Sequence, residues 1–294
     1  MKAAIYSRVL GDEQVGDVQL FLDELAQHGI EPVIFDQYLD QLKGKVMVPS
    51  TTRSFAGPGD LGPDIEFIIS LGGDGTLLDT VTLVQDKNIS IMGINFGRLG
   101  FLASIGRDEV KAAVKAMAKR TYVVDKRTLI HLDASIPLFD DTPYALNEFS
   151  IHKRDVAPMI KIHTYLNGEF LNTYWADGLI VATPTGSTGY SLSCNGPIVF
   201  PDSGSFVITP VAPHNLNVRP IVVPDSNIIS FEIESRADHI ICALDSRREL
   251  VSKSVQLAVK REAFHVNLVR LSENNFLQTL QNKLTWGLDK RNPG

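Results

Sequence analysis

Residues 65–80, IEFIISLGGDGTLLDT, decide how the rest of the chain is read. Ile65, Phe67, Ile68 and Ile69 form an apolar, β-branched run of strand length, the pattern of a strand covered on both faces in a parallel sheet. Gly72, Gly73 and Gly75 then permit a sharp corner closed by Thr76, and helical apolar spacing continues over residues 76–84. Such a corner aims backbone N–H groups at the carboxyl edge of the sheet, where phosphate binds favourably.

Asp74 stands in the middle of this anion-shaped loop and would repel a phosphate unless it has another role. The residues alone leave three open: taking or orienting the proton of an attacking hydroxyl, helping to hold Mg²⁺ on a nucleotide polyphosphate, or capping the helix as an ordinary N-cap. Spacing excludes two common phosphate loops. A dinucleotide fingerprint needs a small residue where Leu78 stands, and a Walker A loop needs Gly-Lys-Ser/Thr, whereas Gly44-Lys45 is followed by Val46.

Before this motif, a strand over 3–9, a helix over 17–28 and a strand over 32–35 make a β-α-β opening, which implies a parallel sheet with right-handed crossovers. The helix carries Val18, Phe21, Leu22 and Leu25 on one face and ends at Gly29. A short helix over 38–42 and a loop over 50–63 follow. Beyond the motif, a strand over 89–94 enters a second glycine-marked corner at 95–101, and an amphipathic helix spans 107–120. Two such corners at one sheet edge make a cleft.

From Tyr122 the pattern changes to short β segments, at 122–132, 144–152, 161–166, 179–182, 206–208, 228–234, 239–244 and 255–259, divided by turn residues. A closing helix spans 274–284, with Phe276, Leu277, Leu280 and Leu284 as its stripe. The expected organisation is an α/β domain with a parallel sheet over 1–121, an all-β domain over 122–272 and a terminal helical segment over 273–294.

The 294 residues suffice for two ordinary domains. A formal charge of -6 argues against nucleic acid or an anionic membrane as the main partner and favours a small one. No run of about 18 apolar residues occurs and the start is unlike a signal peptide, so a cytoplasmic protein is expected. Cys194 and Cys242 make no C-x-x-C pair, and the seven histidines show no zinc-binding spacing. Any metal is expected to arrive with the substrate.

Two stretches of the all-β part carry polar chemistry. Asn147-Glu148 interrupts the β-like ALNEFSIHK; the pair suits a ribose diol or an adenine edge, and equally a polar strand end or bulge. In residues 177–197, DGLIVATPTGSTGYSLSCNGP, an apolar strand feeds a loop of small and hydroxyl residues with Tyr190 as a ring on which a base could stack. Gly186-Ser187-Thr188-Gly189 fails the spacing of a hydrolase nucleophile elbow.

Taken together, GGDGT at 72–76, GINFGRLGFLA at 93–103, Asn147-Glu148, DGLIVATPTGSTGYSLS at 177–193 and RPIVVPDS at 219–226 resemble the NAD kinase family over most of the chain. GGDGT alone is shared with lipid kinases; the combination with the TPTGSTGYS element is specific. The resemblance implies ATP-dependent phosphorylation of NAD at the 2′-hydroxyl of its adenosine ribose, with Mg²⁺ or another divalent cation on ATP. It implies homodimers or homotetramers, a sandwich-like β domain, and a last helix packed back on the first domain. Carried over by position, Asp74 is the general base and Gly75 a backbone contact to NAD. Asn147 and Glu148 bind the adenosine half, and Asp177 the nicotinamide end. Thr188, Gly189, Tyr190, Ser191, Leu192 and Ser193 line the adenine pocket, and Ala212 packs a small side chain on the ligand.

The sequence departs from the family pattern at Ser246-Arg247, where Gly-Gln is common, at Gly189 in place of Ala, and at the bulky Trp175. A lipid or small-alcohol kinase is opposed by the TPTGSTGYS element, and a dinucleotide sensor without catalysis by the retention of Asp74.

Overall fold

The computed structural model describes residues 1–154, 158–272 and 275–285. The chain divides into two compact units, Met1–Lys126 together with the described residues from Val266 onward, and Arg127–His265. Within the first unit, β1 (Lys2–Tyr6), α1 (Val15–Gln27), β2 (Glu31–Phe35), α2 (Asp36–Leu42), β3 (Arg53–Phe55), β4 (Ile65–Leu71), α3 (Asp74–Val84), β5 (Ser90–Asn95), β6 (Ile105–Gly106) and α4 (Val110–Lys119) follow in order. The strands pair in parallel in the order β3-β2-β1-β4-β5, and β6 adds to β5.

The order reverses between β1 and β4, because β1 has β2 on one side and β4 on the other. At such a switch point the crevice opens beyond the carboxyl ends of the strands, and the GGDGT corner leaves β4 at that end. Every residue of β4 except Glu66 is buried, which explains an apolar run without alternation. The stripe Val18, Phe21, Leu22 and Leu25 of α1 is buried as its spacing predicts. Gly29, at φ 66, ends that helix: its N–H bonds Ala26 O at 3.1 Å and the N–H of Ile30 bonds Leu25 O at 2.9 Å.

The stretch 50–63, expected to be loop, contains β3, which joins the sheet edge beside β2 with Phe35 opposite Phe55. Three residues bounded by Gly and Pro are too short to leave a periodic signal.

The second unit is antiparallel. β7 (Val123–Ala134), β8 (Tyr144–Ala145), β9 (Glu148–Lys153), β10 (Ile160–Leu166), β11 (Glu169–Ala176), β12 (Gly178–Ala182), α5 (Tyr190–Ser193), β13 (Ser205–Val211), β14 (Ile221–Pro224), β15 (Ile229–Glu234), β16 (His239–Leu244), β17 (Arg247–Ser252) and β18 (Leu257–Arg270) make it up, with the ends of β7 and β18 running into the first unit. One sheet has the order β14-β13-β12-β9-β16-β17, and a second pairs β11, β10, β15 and β18. Side chains of both fill one core, with the Phe149 and Phe231 rings 5.8 Å apart. This is the sandwich-like arrangement expected.

The reading of 144–152 as one strand is corrected. β8 pairs with β7, whereas β9 pairs with β12 and β16, so the chain changes sheet at Leu146-Asn147. Likewise 255–259 is only the start of β18, whose far end lies parallel to β5 with Leu268 opposite Ile91. The last helix, α6 (Phe276–Leu284), is capped by Asn275, whose Oδ1 accepts the N–H of Gln278 at 2.9 Å, and it belongs to the first unit as expected. Asn274, expected in that helix, lies outside the described residues.

Candidate functional site

In the first unit the GGDGT corner is fixed by the geometry of Gly72 and by side chains at the end of β1. Gly72 sits at φ 151, and a Cβ there would lie 2.5 Å from Thr76 Oγ1, so this position requires glycine. Gly73 and Gly75 have room for a side chain; their nearest neighbours would be 3.7 Å away. From the end of β1, Ser7 Oγ donates to Leu71 O at 2.7 Å. Arg8 forks onto both carboxylate oxygens of Asp79 and also donates to Gly75 O at 3.1 Å. Tyr6 donates to the same Asp79 at 2.9 Å, and burial pushes its hydroxyl pKa up to about 12.

Asp74 is the first residue of α3, but its side chain does not cap that helix. It turns to the second glycine corner, where Oδ2 accepts the N–H of Phe101 at 2.8 Å and Oδ1 those of Leu102 and Ala103 at 3.0 Å each. The corner is shaped for this. Asn95 ties its start, accepting from Gly97 N–H at 3.0 Å and donating to Arg98 O at 2.7 Å. A Cβ on Gly100 would lie 1.7 Å from Asp74 Oδ1, and one on Gly93 would lie 2.7 Å from Leu77 Cδ1. Gly93 and Gly100 of GINFGRLGFLA are therefore there for close approach, whereas Gly97 has room for a Cβ.

In the second unit, changing sheet at Leu146-Asn147 strips backbone donors of ladder partners, and Asp245 supplies the replacement. Its carboxylate accepts the N–H groups of Leu146, Asn147 and Glu148 at 2.9, 2.8 and 3.1 Å. Asp245 itself stands at φ 54 in the turn from β16 to β17. Burial raises its pKa, against the pull of those three donors. The same turn is clasped from the other side: Thr183 N–H donates to Asn147 O at 2.8 Å and Thr183 Oγ1 to Leu146 O at 2.5 Å. Gly186 packs so closely that a Cβ would lie 2.1 Å from Asn147 O.

Glu148 lies beside this loop. Desolvation, and next the nearby Asp245 charge, push its pKa up to about 8, while the Tyr190 backbone N–H pulls the other way. Its Oε2 is buried with no hydrogen-bond partner among the described residues. A Cβ on Gly189 would lie 3.3 Å from that oxygen, so the Ala common in the family would crowd the acid. The Tyr190 ring, partly exposed, lies 5.7 Å from that of His152, whose pKa is lowered chiefly by burial.

The other positions expected from the sequence are placed as follows. Asp177 pairs with Lys153 at 2.8 Å. Thr188 Oγ1 donates to Thr185 O at 3.2 Å, and Ser191 Oγ is buried against Thr209 Oγ1 at 2.8 Å. Leu192 is half-buried, Ser193 exposed, and Ala212 exposed at φ 45. Arg247 donates to Thr142 O and Oγ1 at 2.6 Å each and also to Tyr144 O, which braces the segment before the turn. Trp175 stacks on His214 with ring centres 4.3 Å apart, and that contact accounts for its bulk.

Thr183 is among the hydroxyl residues of the 177–197 loop and Asp245 precedes the Ser246-Arg247 departure, but neither their clasp on residues 146–148 nor the Arg8–Asp79 pair was reached from the sequence. For Arg8, Thr183 and Asp245 the one signal is a polar residue just after an apolar strand, which many solvent-facing residues share, and Asp79 lies within α3.

Fold and residues together define a two-domain nucleotide-handling protein of the α/β-plus-β-sandwich type. The ATP-NAD kinase N-terminal domain family model matches residues 47–122 and the ATP-NAD kinase C-terminal domain model residues 146–271. The NAD kinase of Cytophaga hutchinsonii is 48% identical over 291 residues, 98% of this chain and 99% of that protein. The NAD kinase of Flavobacterium psychrophilum is 42% identical over 294 residues, 99% of this chain and 100% of the other. In fold, the chain is similar to yeast NADH kinase complexed with NADH, with a TM-score of 0.84 at 20% identity over 98% of this chain and 88% of that one. It is similar as well to an Archaeoglobus fulgidus NAD kinase in complex with ATP, with a TM-score of 0.75 at 24% identity over 97% and 99%. The chain belongs to the NAD kinase family.

Proposed function

We propose that this chain transfers the γ-phosphate of ATP to the 2′-hydroxyl of the adenosine ribose of NAD, giving NADP and ADP, with Asp74 as the general base. The observation that carries the reading is how Asp74 is held. A carboxylate offers about four acceptor positions, and three are taken by backbone N–H groups, two on Oδ1 and one on Oδ2. Oδ2 keeps a position for a substrate hydroxyl while the carboxylate is barred from rotating. A sugar hydroxyl is a poor nucleophile, so a fixed proton acceptor and alignment with the donor phosphate supply the catalysis. As the 2′-oxygen bonds to phosphorus and the bond to ADP breaks, the hydroxyl proton passes to Asp74.

Around this step, Asn147 and the neutral acid of Glu148 would offer donors and acceptors to the adenosine half. Tyr190 would stack on adenine, with Thr188, Gly189, Ser191, Leu192 and Ser193 shaping its pocket. Asp177 would meet the nicotinamide end, Ala212 would pack on the ligand, and Gly75 would contact NAD through its backbone. Among the described residues no three His, Cys, Asp or Glu side chains converge as a metal cage. A divalent cation, Mg²⁺ or another, would reach the site on the phosphates of ATP and keep much of its water. The reading includes a homodimer or homotetramer, supported by Phe170, Trp175 and Leu216 exposed on the second unit, and a cytoplasmic setting. No helix among the described residues is long and apolar enough to cross a membrane.

The test is NADP formation by the purified chain from NAD, ATP and Mg²⁺, beside mixtures lacking each. Asp74→Asn is expected to lower kcat by at least about two orders of magnitude while NAD still binds by calorimetry. Near-normal turnover in that variant would leave Asp74 as a structural clamp only.

A further inference from the structure

Two pairs of neighbouring rings lie on either side of a sheet change in the second unit. The Tyr190 ring is 5.7 Å from that of His152, and Trp175 lies on His214 with ring centres 4.3 Å apart and planes at 21°. Asp177 joins the two, because the chain changes sheet there: Ala176 stands opposite Ile160 in one sheet and Gly178 opposite His152 in the other. From Trp175 to Gly178 is three residues of near-extended chain, about 10 Å.

The Trp175 pair is held by backbone and not by burial. His214 N–H donates to Trp175 O at 2.8 Å and Asp177 N–H to Val211 O at 3.0 Å, so residues 211–214 run along 175–177 and bring Ala212 with them. Held in this way, Trp175 is still 42% exposed. An indole fixed in place with so much apolar surface left in water is suited to a ring from outside the chain. The nearest charges cancel: Lys161, opposite Trp175 in the register, pairs with Glu234 at 2.9 Å, and Lys153 pairs with Asp177 at 2.8 Å. What the pair offers is therefore the electron-rich face of its rings, which attracts a planar cation.

We propose that the Trp175–His214 stack seats the nicotinamide ring of NAD and favours the oxidised ring, a pyridinium cation, over the neutral dihydropyridine of NADH. His214 occupies one face of the indole and leaves the other to the ligand. A dinucleotide carries two bases, and this unit presents two ring platforms joined through Asp177, with Tyr190 taking the adenine. The inference rests on the reading of NAD as substrate and adds to it which form is preferred and by what contact.

The experiment is calorimetry of the full chain with NAD, NADH and ADP-ribose, which lacks the nicotinamide, for the wild type, Trp175→Ala and Trp175→Phe. The wild type is expected to bind NAD at least about threefold more tightly than NADH. Trp175→Ala is expected to weaken NAD binding at least about fivefold, to erase that preference and to leave ADP-ribose within about twofold, while Trp175→Phe keeps part of both effects. Trp175 is also among the exposed apolar residues available to a subunit contact, and loss of such a contact would weaken NAD and ADP-ribose alike. Equal weakening of those two ligands, an unchanged affinity for NAD, or a wild type that binds NAD and NADH equally overturns the proposal. A chain that shows the expected differences yet makes no NADP contradicts the phosphotransfer reading and leaves this one standing; a wild type that binds no NAD overturns both.

Discussion

Asp74 and Gly100 are a pair in which the acid's position depends on the absence of a neighbour's side chain. Gly100→Ala would place a methyl group on Asp74 Oδ1, so the carboxylate must leave its three donors or the corner must open. The expected result is a loss of about 1–3 kcal/mol of stability with kcat reduced at least about tenfold and NAD affinity retained, measured by urea unfolding and steady-state kinetics. Glu148 gives a second prediction. An acid whose pKa rises from 4.5 unfolded to about 8 folded leaves more protons on the folded chain in that interval, so Glu148's own contribution to stability is fully present below pH 4.5 and is lost as pH rises toward 8. The slope for one proton is about 1.4 kcal/mol per pH unit. Glu148→Gln should flatten that fall in urea midpoints taken at several pH values; an unaltered slope would assign it to other groups. The types and neighbours of both acids could be read from the sequence, but not which way they point. Asp74 next to Gly73 reads as a cap to its own helix, and only the fold brings residues 101–103 within its reach.

At the scale of elements, the first unit was legible because its strands are buried on both faces and its helices keep one apolar stripe. The second was less so. β11, β14 and β17 left no clear pattern: β11 carries exposed Phe170 and Trp175, β14 is an edge of four residues, and β17 opens with Arg247, Arg248 and Glu249 and has Leu250 exposed. The break between β8 and β9 was half-legible, because Asn147-Glu148 admits a strand end while Leu146 is as apolar as a continuing strand would require; the hydrogen bonding by Asp245 and Thr183 fixes it. Thr183→Val keeps the shape but leaves Leu146 O and Gly186 N–H without their partner. The expected cost is about 1–3 kcal/mol, with the KM for NAD raised more than kcat is lowered. A neutral result on both would mean that Asp245 alone sets the turn.

Across the whole molecule, one device recurs. Each unit has a carboxylate that gathers three consecutive backbone N–H groups, Asp74 for residues 101–103 and Asp245 for residues 146–148. Both loops are thus fixed before a ligand arrives, which favours binding with little ordering cost. By mass action, NAD at a hundredfold excess over its Kd should add about 2.7 kcal/mol of stability. Calorimetric unfolding with and without NAD checks this, and an unmoved midpoint would count against a dinucleotide site.

The chain order of the units also bears on how the protein is made. The second unit is one continuous segment, whereas the first needs the end of β18 beside β5 and α6 against the corner at Gly100, and both lie after residue 265. During synthesis the sandwich can therefore finish folding while the amino-terminal sheet still lacks a strand. The corner that immobilises Asp74 gains its covering helix only after the whole second unit has left the ribosome, so a nascent chain stalled short of it would hold a folded sandwich and an unfinished acid site.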